Sequence, residues 1–204
     1  MINSKEHWEN VFAQKQENEV SWFQEYPKTS IAFLELFHLP LHANIIDIGG
    51  GDSHFIDALI EKGYQSIFLL DISANAIERA KKRLGEKAKH VTFIVSDITE
   101  FQPIVKFDFW HDRAAFHFLT NEEQISKYVS IAEDAINKKG YLILGTFSDE
   151  GPKKCSGLEI QQYTEASMSA RFEVAFNRIK CIRENHITPF NTTQNFLFCS
   201  FQKK

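Results

Sequence analysis

The chain has only three cysteines, Cys155, Cys181 and Cys199, and none of them forms a CxxC pair. That spacing excludes a zinc knuckle, and the odd count points to no disulfide framework and no metal site. A reduced, cytoplasmic setting is the expectation. Long apolar runs are also missing. No stretch approaches the ~18 residues that a membrane span needs, and the opening Met1-Ile2-Asn3-Ser4-Lys5-Glu6 holds no apolar signal core. Positive charge is not in surplus either: the formal net charge is −4. This argues against a nucleic-acid partner, which demands a basic face. The one basic stretch, residues 79–89, falls on and just after a helical pattern whose apolar face is Ala74, Ile77, Ala80 and Leu84. It reads as a solvated face. Glycine is scarce as well, with nine in 204 residues, yet three of the nine are consecutive.

Those three stand in Ile45-Ile46-Asp47-Ile48-Gly49-Gly50-Gly51-Asp52-Ser53. A short apolar strand ends in an acid, a Gly-rich turn follows, and Ser53 caps a helix. Glycines at such a turn let a ligand lie against bare peptide. A second acid, Asp71, ends the next apolar run, 20 residues after Gly51. An acid at that distance, closing the second strand of a βαβ unit, can receive both hydroxyls of a ribose. The pattern predicts a nucleoside-bearing cofactor.

Strand and helix patterns alternate from about residue 44 to 147. Strands are predicted at residues 44–48, 67–70, 91–95, 107–111 and 141–147. Helices follow Ser53 (Phe55, Leu59 and Ile60 inward, ended by Gly63), Ser73 (to Leu84) and the capping-box pattern Thr120-Asn121-Glu122-Glu123. The last of these carries Ile125, Val129, Ala132 and Ile136 on one face and is closed by Gly140. This order implies a parallel sheet with right-handed crossovers. A helix near Thr164 and strand-like runs at 172–183 and 194–201 suggest a terminal hairpin. Upstream, residues 27–38 read as a helix with Ile31, Leu34 and Phe37 inward, and residues 14–20 as a polar, mobile stretch between Trp8 and Trp22-Phe23.

A nicotinamide or flavin site would want G-x-G-x-x-G, but the third position is His54, which removes the glycine of close helix–strand packing. The acid two residues before the first glycine, Asp47, fits another group. With Asp47-Ile48-Gly49-Gly50-Gly51, Asp71 after strand two, Ser96-Asp97-Ile98 after strand three, and Phe107-Asp108-Phe109-Trp110-His111-Asp112-Arg113 at strand four, the chain resembles class I S-adenosylmethionine-dependent methyltransferases over roughly residues 40–200. The resemblance implies an α/β fold, doubly wound, with a mostly parallel seven-stranded sheet and one antiparallel strand. It implies one domain over residues 1–204, with 1–43 a helical flap and 44–204 the Rossmann-like core. S-adenosyl-L-methionine would be the cofactor and S-adenosyl-L-homocysteine its product. Gly49, Gly50 and Gly51 would lie under the methionine part, and Asp47 would hold its amino group. Asp71, with Ile72 beside it, would take the ribose. Asp97 would accept from the adenine amine, with the Ile98 N–H near the ring. Trp22 would belong to the flap over the cofactor.

Methyl transfer from a sulfonium is an in-line displacement, so the protein mainly aligns the partners and keeps water out. A base is needed only if the nucleophile arrives protonated. In the family, residues at the strand-four exit face the sulfonium and the acceptor. Here His111 and His117 are the candidate proton acceptors. Arg113 either holds an anionic acceptor or pairs with Asp112. The expected reaction is methyl transfer to a heteroatom of a small molecule. A protein lysine is the alternative acceptor, and a non-catalytic cofactor-binding module the alternative of another class.

Overall fold

The computed structural model describes residues 4–204. Its centre is a seven-stranded sheet built from β1 (Asn44–Ile48), β2 (Ser66–Asp71), β3 (Val91–Val95), β4 (Phe107–Arg113), β5 (Ile136–Phe147), β8 (Phe176–Ile187) and β9 (Thr193–Lys203). Two very short strands, β6 (Lys154–Cys155) and β7 (Leu158–Glu159), form a separate hairpin. The strand order is β3-β2-β1-β4-β5-β9-β8. Only β9 runs against its neighbours, pairing antiparallel with both β5 and β8. This is the doubly wound fold with one antiparallel strand that the family resemblance implies.

The central strands read as continuous apolar runs because both sheet faces are covered. One face packs Ile46, Trp110 and Leu144 against Tyr128 and Ala132 of α5 (Glu122–Ala135) and Phe172 of α6 (Glu165–Phe172). The other packs Ile45, Leu69 and Phe109 against Leu34 of α2 (Lys28–Leu36), Phe55 and Leu59 of α3 (Phe55–Glu61), and Ile77 of α4 (Ala74–Leu84). The chain starts mid-sheet at β1, winds out to β3 and returns to β4. The order reverses between β1 and β4, and open α/β sheets bind ligands beyond the strand ends at such a point.

Several local expectations are corrected. The helix opened at residues 120–123 is capped by Asn121, whose side chain accepts from the Gln124 N–H, and it ends at Ala135. Gly140 lies inside β5, beside the register shift against Phe107 and Phe109. The first strand of the terminal hairpin begins at Phe176, because Phe172 closes α6. The N-terminal α1 (Ser4–Gln14) is folded, and the polar stretch after it forms a 3-10 turn at Glu17–Glu19. The basic residues of α4 do not all face solvent. Arg79 pairs with Asp52 at 2.7 Å, and Arg83 pairs with Asp57 at 2.8 Å and donates to the Ser53 carbonyl. The two arginines tie α4 to the loop behind the Gly-rich turn. Cys181 and Cys199 are disulfide-bonded across β8 and β9. They stand directly opposite in the antiparallel register, Cα atoms 4.2 Å apart, a juxtaposition that sequence spacing does not reveal. Among the described residues no helix is long and apolar enough to cross a membrane.

Candidate active site

Strand alternation decides which polar groups meet. Asp71, Asp47, His111 and Arg113 end β2, β1 and β4 on the same sheet face, because side chains two apart share a face. Asp112 points to the other face. There its carboxylate accepts from the Ala115 and Phe116 N–H groups and from the Tyr128 hydroxyl, which in turn accepts from Trp110 Nε1. Burial raises Asp112 to about 6, against the pull of these donors. The Asp112–Arg113 pair considered from sequence therefore does not form.

After β1 the backbone turns through residues 49–51. Gly51 has φ +52°, a left-handed conformation open to glycine. A Cβ on Gly50 would lie 2.5 Å from Asp47 Oδ2, so the turn can pass this close to the acid only without a side chain. Asp47 is buried, and its Oδ1 meets His111 Nδ1 at 2.6 Å. His111 Nε2 faces the Ser30 hydroxyl at 2.8 Å, and its ring stacks on Phe55. Both imidazole nitrogens are thus engaged. Asp47 Oδ2 stays buried without a partner.

Asp71 is also buried. Its carboxylate accepts from the Ser73 N–H at 2.8 Å and from the Gly51 N–H. Desolvation nevertheless raises it to about 7. Ile72 follows it, half-buried. Asp97 caps a 3-10 turn, its Oδ1 accepting from Thr99 N–H and Oγ1, and Ile98 opens that turn. The structure gathers Asp47, Gly49, Gly50, Gly51, His111, Arg113 and Trp22 around one cavity of about 50 Å³. Asp71, Ile72, Asp97, Ile98 and His117 do not line it; Asp71 lies behind Gly51, from whose N–H it accepts.

His117 is a correction in role. It is fully buried, and its Nδ1 accepts from the Phe147 N–H at 3.2 Å, which leaves the proton on Nε2. Burial, reinforced by Arg113, lowers it to about 3. The ring is neutral and its lone pair is committed, so it is not placed to take a proton.

Sequence reasoning missed the groups that the N-terminal segment brings. Phe12 of α1 lies against Gly51, with the Arg79 guanidinium over its ring. Glu9 caps α4 from outside, accepting from Ser73 Oγ and the Ala74 and Asn75 N–H groups at 2.8–3.0 Å. Ser30 had no sequence signal at all. Trp8 packs edge-on against Trp22 and Phe118. The backbone at residues 21–22 is latched at the side of the cavity: Arg113 Nη1 donates to the Trp22 carbonyl and His186 Nε2 to the Ser21 carbonyl, at 2.9 and 2.8 Å. Cys155 is buried beside Ser21, and burial raises its thiol to about 11. Among the described residues no cluster of three or more metal-ligating side chains occurs.

The comparisons with known proteins agree with this geometry. The chain is 28% identical over 129 residues to mouse "eEF1A lysine and N-terminal methyltransferase", covering 61% of this chain and 18% of that one. It is 34% identical over 102 residues to "Malonyl-[acyl-carrier protein] O-methyltransferase 2" of Ilyobacter polytropus, covering 50% and 38%. The matched stretches thus span well under two thirds of these relatives' own lengths. Among solved structures, N-methyltransferase NodS of Bradyrhizobium japonicum, in complex with S-adenosylhomocysteine, superposes with a TM-score of 0.75 at 17% identity, covering 99% of each chain. A family model described as "Methyltransferase domain" matches residues 41–192, and with most of its length inside that match the chain belongs to the methyltransferase-domain family of S-adenosylmethionine-dependent enzymes.

Proposed function

We propose that the protein transfers a methyl group from S-adenosylmethionine to a heteroatom of a small molecule. The residues present fit the cofactor. Asp47 Oδ2 is a buried, unpartnered acceptor beside a turn that tolerates no Cβ, which suits the cofactor's amino group over residues 49–51. Asp71 suits the ribose hydroxyls, with Ile72 beside it, and Asp97 and Ile98 suit the adenine edge. When bound, the cofactor supplies a methyl already activated by a sulfonium. The chain's own task is then to align the acceptor and exclude water. His111, held between Asp47 and Ser30, fixes the shape of the cavity floor. The aromatic cover of Phe12, Trp22 and Phe23 keeps water out.

One observation carries the choice of acceptor class. The cavity is lined by the aromatic side chains Phe12, Trp22 and Phe23, and beside the acids Glu17, Asp47 and Asp52 it holds a buried guanidinium, Arg113, with an unmet edge that suits an anion. A lysine ammonium would be repelled by that guanidinium. The protein-lysine reading keeps the support of the eEF1A-directed relatives' names alone.

A cavity of about 50 Å³ is far below the ~300–1,000 Å³ of small-molecule sites. The segment containing α1 and residues 17–24 must therefore lift for the cofactor to enter, and it acts as a flap. The test is incubation with methyl-labelled S-adenosylmethionine and a panel of thiols, amines, acids and lysine-bearing proteins. Label in a small molecule is the expected result. Label only in protein lysine would overturn the acceptor assignment, and calorimetry showing no S-adenosylhomocysteine binding would overturn the whole reading.

A further inference from the structure

The chain has six arginines. Five of them, Arg79, Arg83, Arg171, Arg178 and Arg183, pair with a carboxylate at 2.6–2.8 Å. Arg113 is the exception. Among the described residues no carboxylate oxygen comes within 4.0 Å of its guanidinium.

The group is nevertheless firmly placed. Nη1 donates to the Trp22 carbonyl, and the guanidinium plane lies over the Phe196 ring, 4.8 Å from its centroid. One edge remains, carrying Nε and Nη2, and both atoms are buried with no acceptor. Buried donors are almost always met, and an unmet charged one is costly. These two N–H groups are parallel, the arrangement that a carboxylate engages with both oxygens.

The neighbouring acids do not serve this edge. Asp112 faces the other side of the sheet and is saturated by Tyr128 and two backbone donors. Asp47 is committed to His111 on one oxygen and lies by the Gly-rich turn on the other. Glu184 acts on Arg113 only from beyond ion-pair distance, and its own Oε2 is buried without a hydrogen bond. Burial lowers Arg113 to about 10, so it stays charged at neutral pH.

Resting on the methyltransferase reading above, we propose that the Nε–Nη2 edge of Arg113 receives the carboxylate of the methyl acceptor, so that the acceptor is a small organic anion. Arg113 lines the same cavity as Asp47 and the glycine turn. A carboxylate anchored there would place the rest of the acceptor in the cavity that Asp47 and the glycine turn also line. The latch at Ser21 and Trp22, held by Nη1 and His186, opens to admit it. Arg113 is then a specificity-determining residue, and the protein discriminates against neutral analogues.

The test uses wild type, Arg113→Gln and Arg113→Lys. Calorimetry first measures S-adenosylhomocysteine binding to each. The loaded proteins are then titrated with acetate, 3-mercaptopropionate and imidazole-4-acetate, each against its primary amide. At least one acid should bind loaded wild type ten-fold or more tighter than its amide. In Arg113→Gln that preference should fall below two-fold, with S-adenosylhomocysteine affinity changed less than three-fold. Arg113→Lys keeps the charge but not the paired edge. It should weaken the acid at least three-fold, and it supplies the readout if the Gln variant fails to fold. Equal binding of acids and amides, or no binding of any probe, overturns the proposal while leaving the cofactor reading intact. Loss of S-adenosylhomocysteine binding in the Arg113 variants also overturns it, because Arg113 would then serve the cofactor, directly or through the Trp22 carbonyl. No S-adenosylhomocysteine binding by wild type overturns the cofactor reading and this proposal with it.

Discussion

Asp71 carries two consequences that a plain surface acid would not. Its folded value of about 7 lies above the ordinary 3.8, with desolvation as the largest cause. The folded state therefore holds a proton that the unfolded chain has released. The stability tied to that proton is fully present below about pH 4 and is lost as pH rises through about 7. We predict that the melting temperature of wild type falls relative to Asp71→Asn between pH 5 and 8. Parallel pH profiles would show that Asp71 ionises freely. The second consequence concerns the ribose. Above about pH 7, where Asp71 is ionised, Asp71→Ala removes hydrogen bonds to a charged acceptor, each worth about 1.5–3 kcal/mol in favourable cases. S-adenosylhomocysteine affinity should drop by roughly one to two orders of magnitude, and calorimetry giving equal affinities would end the ribose assignment. On the opposite face, Tyr128 links Trp110 Nε1 to Asp112 Oδ2 in a fully buried chain. Tyr128→Phe strands both partners, at about 1–3 kcal/mol for each unsatisfied group. Denaturant melts should register that loss with cofactor affinity unchanged. A loss of binding without a loss of stability would mean that this chain reaches the site.

At the scale of elements, α1 is joined to α4 by Arg79, which donates to the Phe12 and Lys15 carbonyls, and by Glu9. Glu9 meets three donors at the first turn of α4, where a carboxylate also complements the helix dipole. This is capping in trans, across 64–66 residues of sequence. If flap opening limits entry of the cofactor, Glu9→Ala should speed association. A rise of at least five-fold in the S-adenosylhomocysteine on-rate is expected, read by stopped-flow emission from Trp8 and Trp22. An unchanged on-rate would mean that α1 does not gate the cavity. The same contact shows where sequence reading stops. The glycine turn, Asp71, the Ser73 cap and the succession of strands and helices along residues 44–147 are local patterns, legible from period and spacing. Glu9 on α4, Ser30 on His111 and Arg79 on Asp52 are meetings between distant segments that leave no local trace. Arg113 and Asp112 lie between these cases. Strand alternation already sends neighbouring residues to opposite faces, so their pairing could have been discounted from sequence. The neutral, hydrogen-bonded state of His117 needed the position of the Phe147 backbone.

For the molecule as a whole, the Cys181–Cys199 bond ties together the two strands that complete the sheet beyond β5. Cys199 is buried in the face that carries Trp110 and Tyr128, and Cys181 packs against that cluster, away from the candidate site. The bond closes a loop of 18 residues. In the chain-entropy account, constraining a loop of about that length in the unfolded state is worth about 3 kcal/mol. For a chain of this size each kcal/mol shifts the melting temperature by roughly 2–4 °C. Reductant should therefore lower the melting temperature of wild type by roughly 6–12 °C and leave a Cys181→Ser variant unmoved, with S-adenosylhomocysteine affinity the same in both. Thiol counting gives an independent check. Cys155 is the free cysteine, and it is buried. Native protein should give almost no reaction with a thiol reagent, denatured protein one equivalent, and denatured, reduced protein three. Three equivalents without reductant would show that the bond is not formed in solution. The stability of the sheet's far edge would then rest on the β8–β9 ladder and its aromatic packing alone.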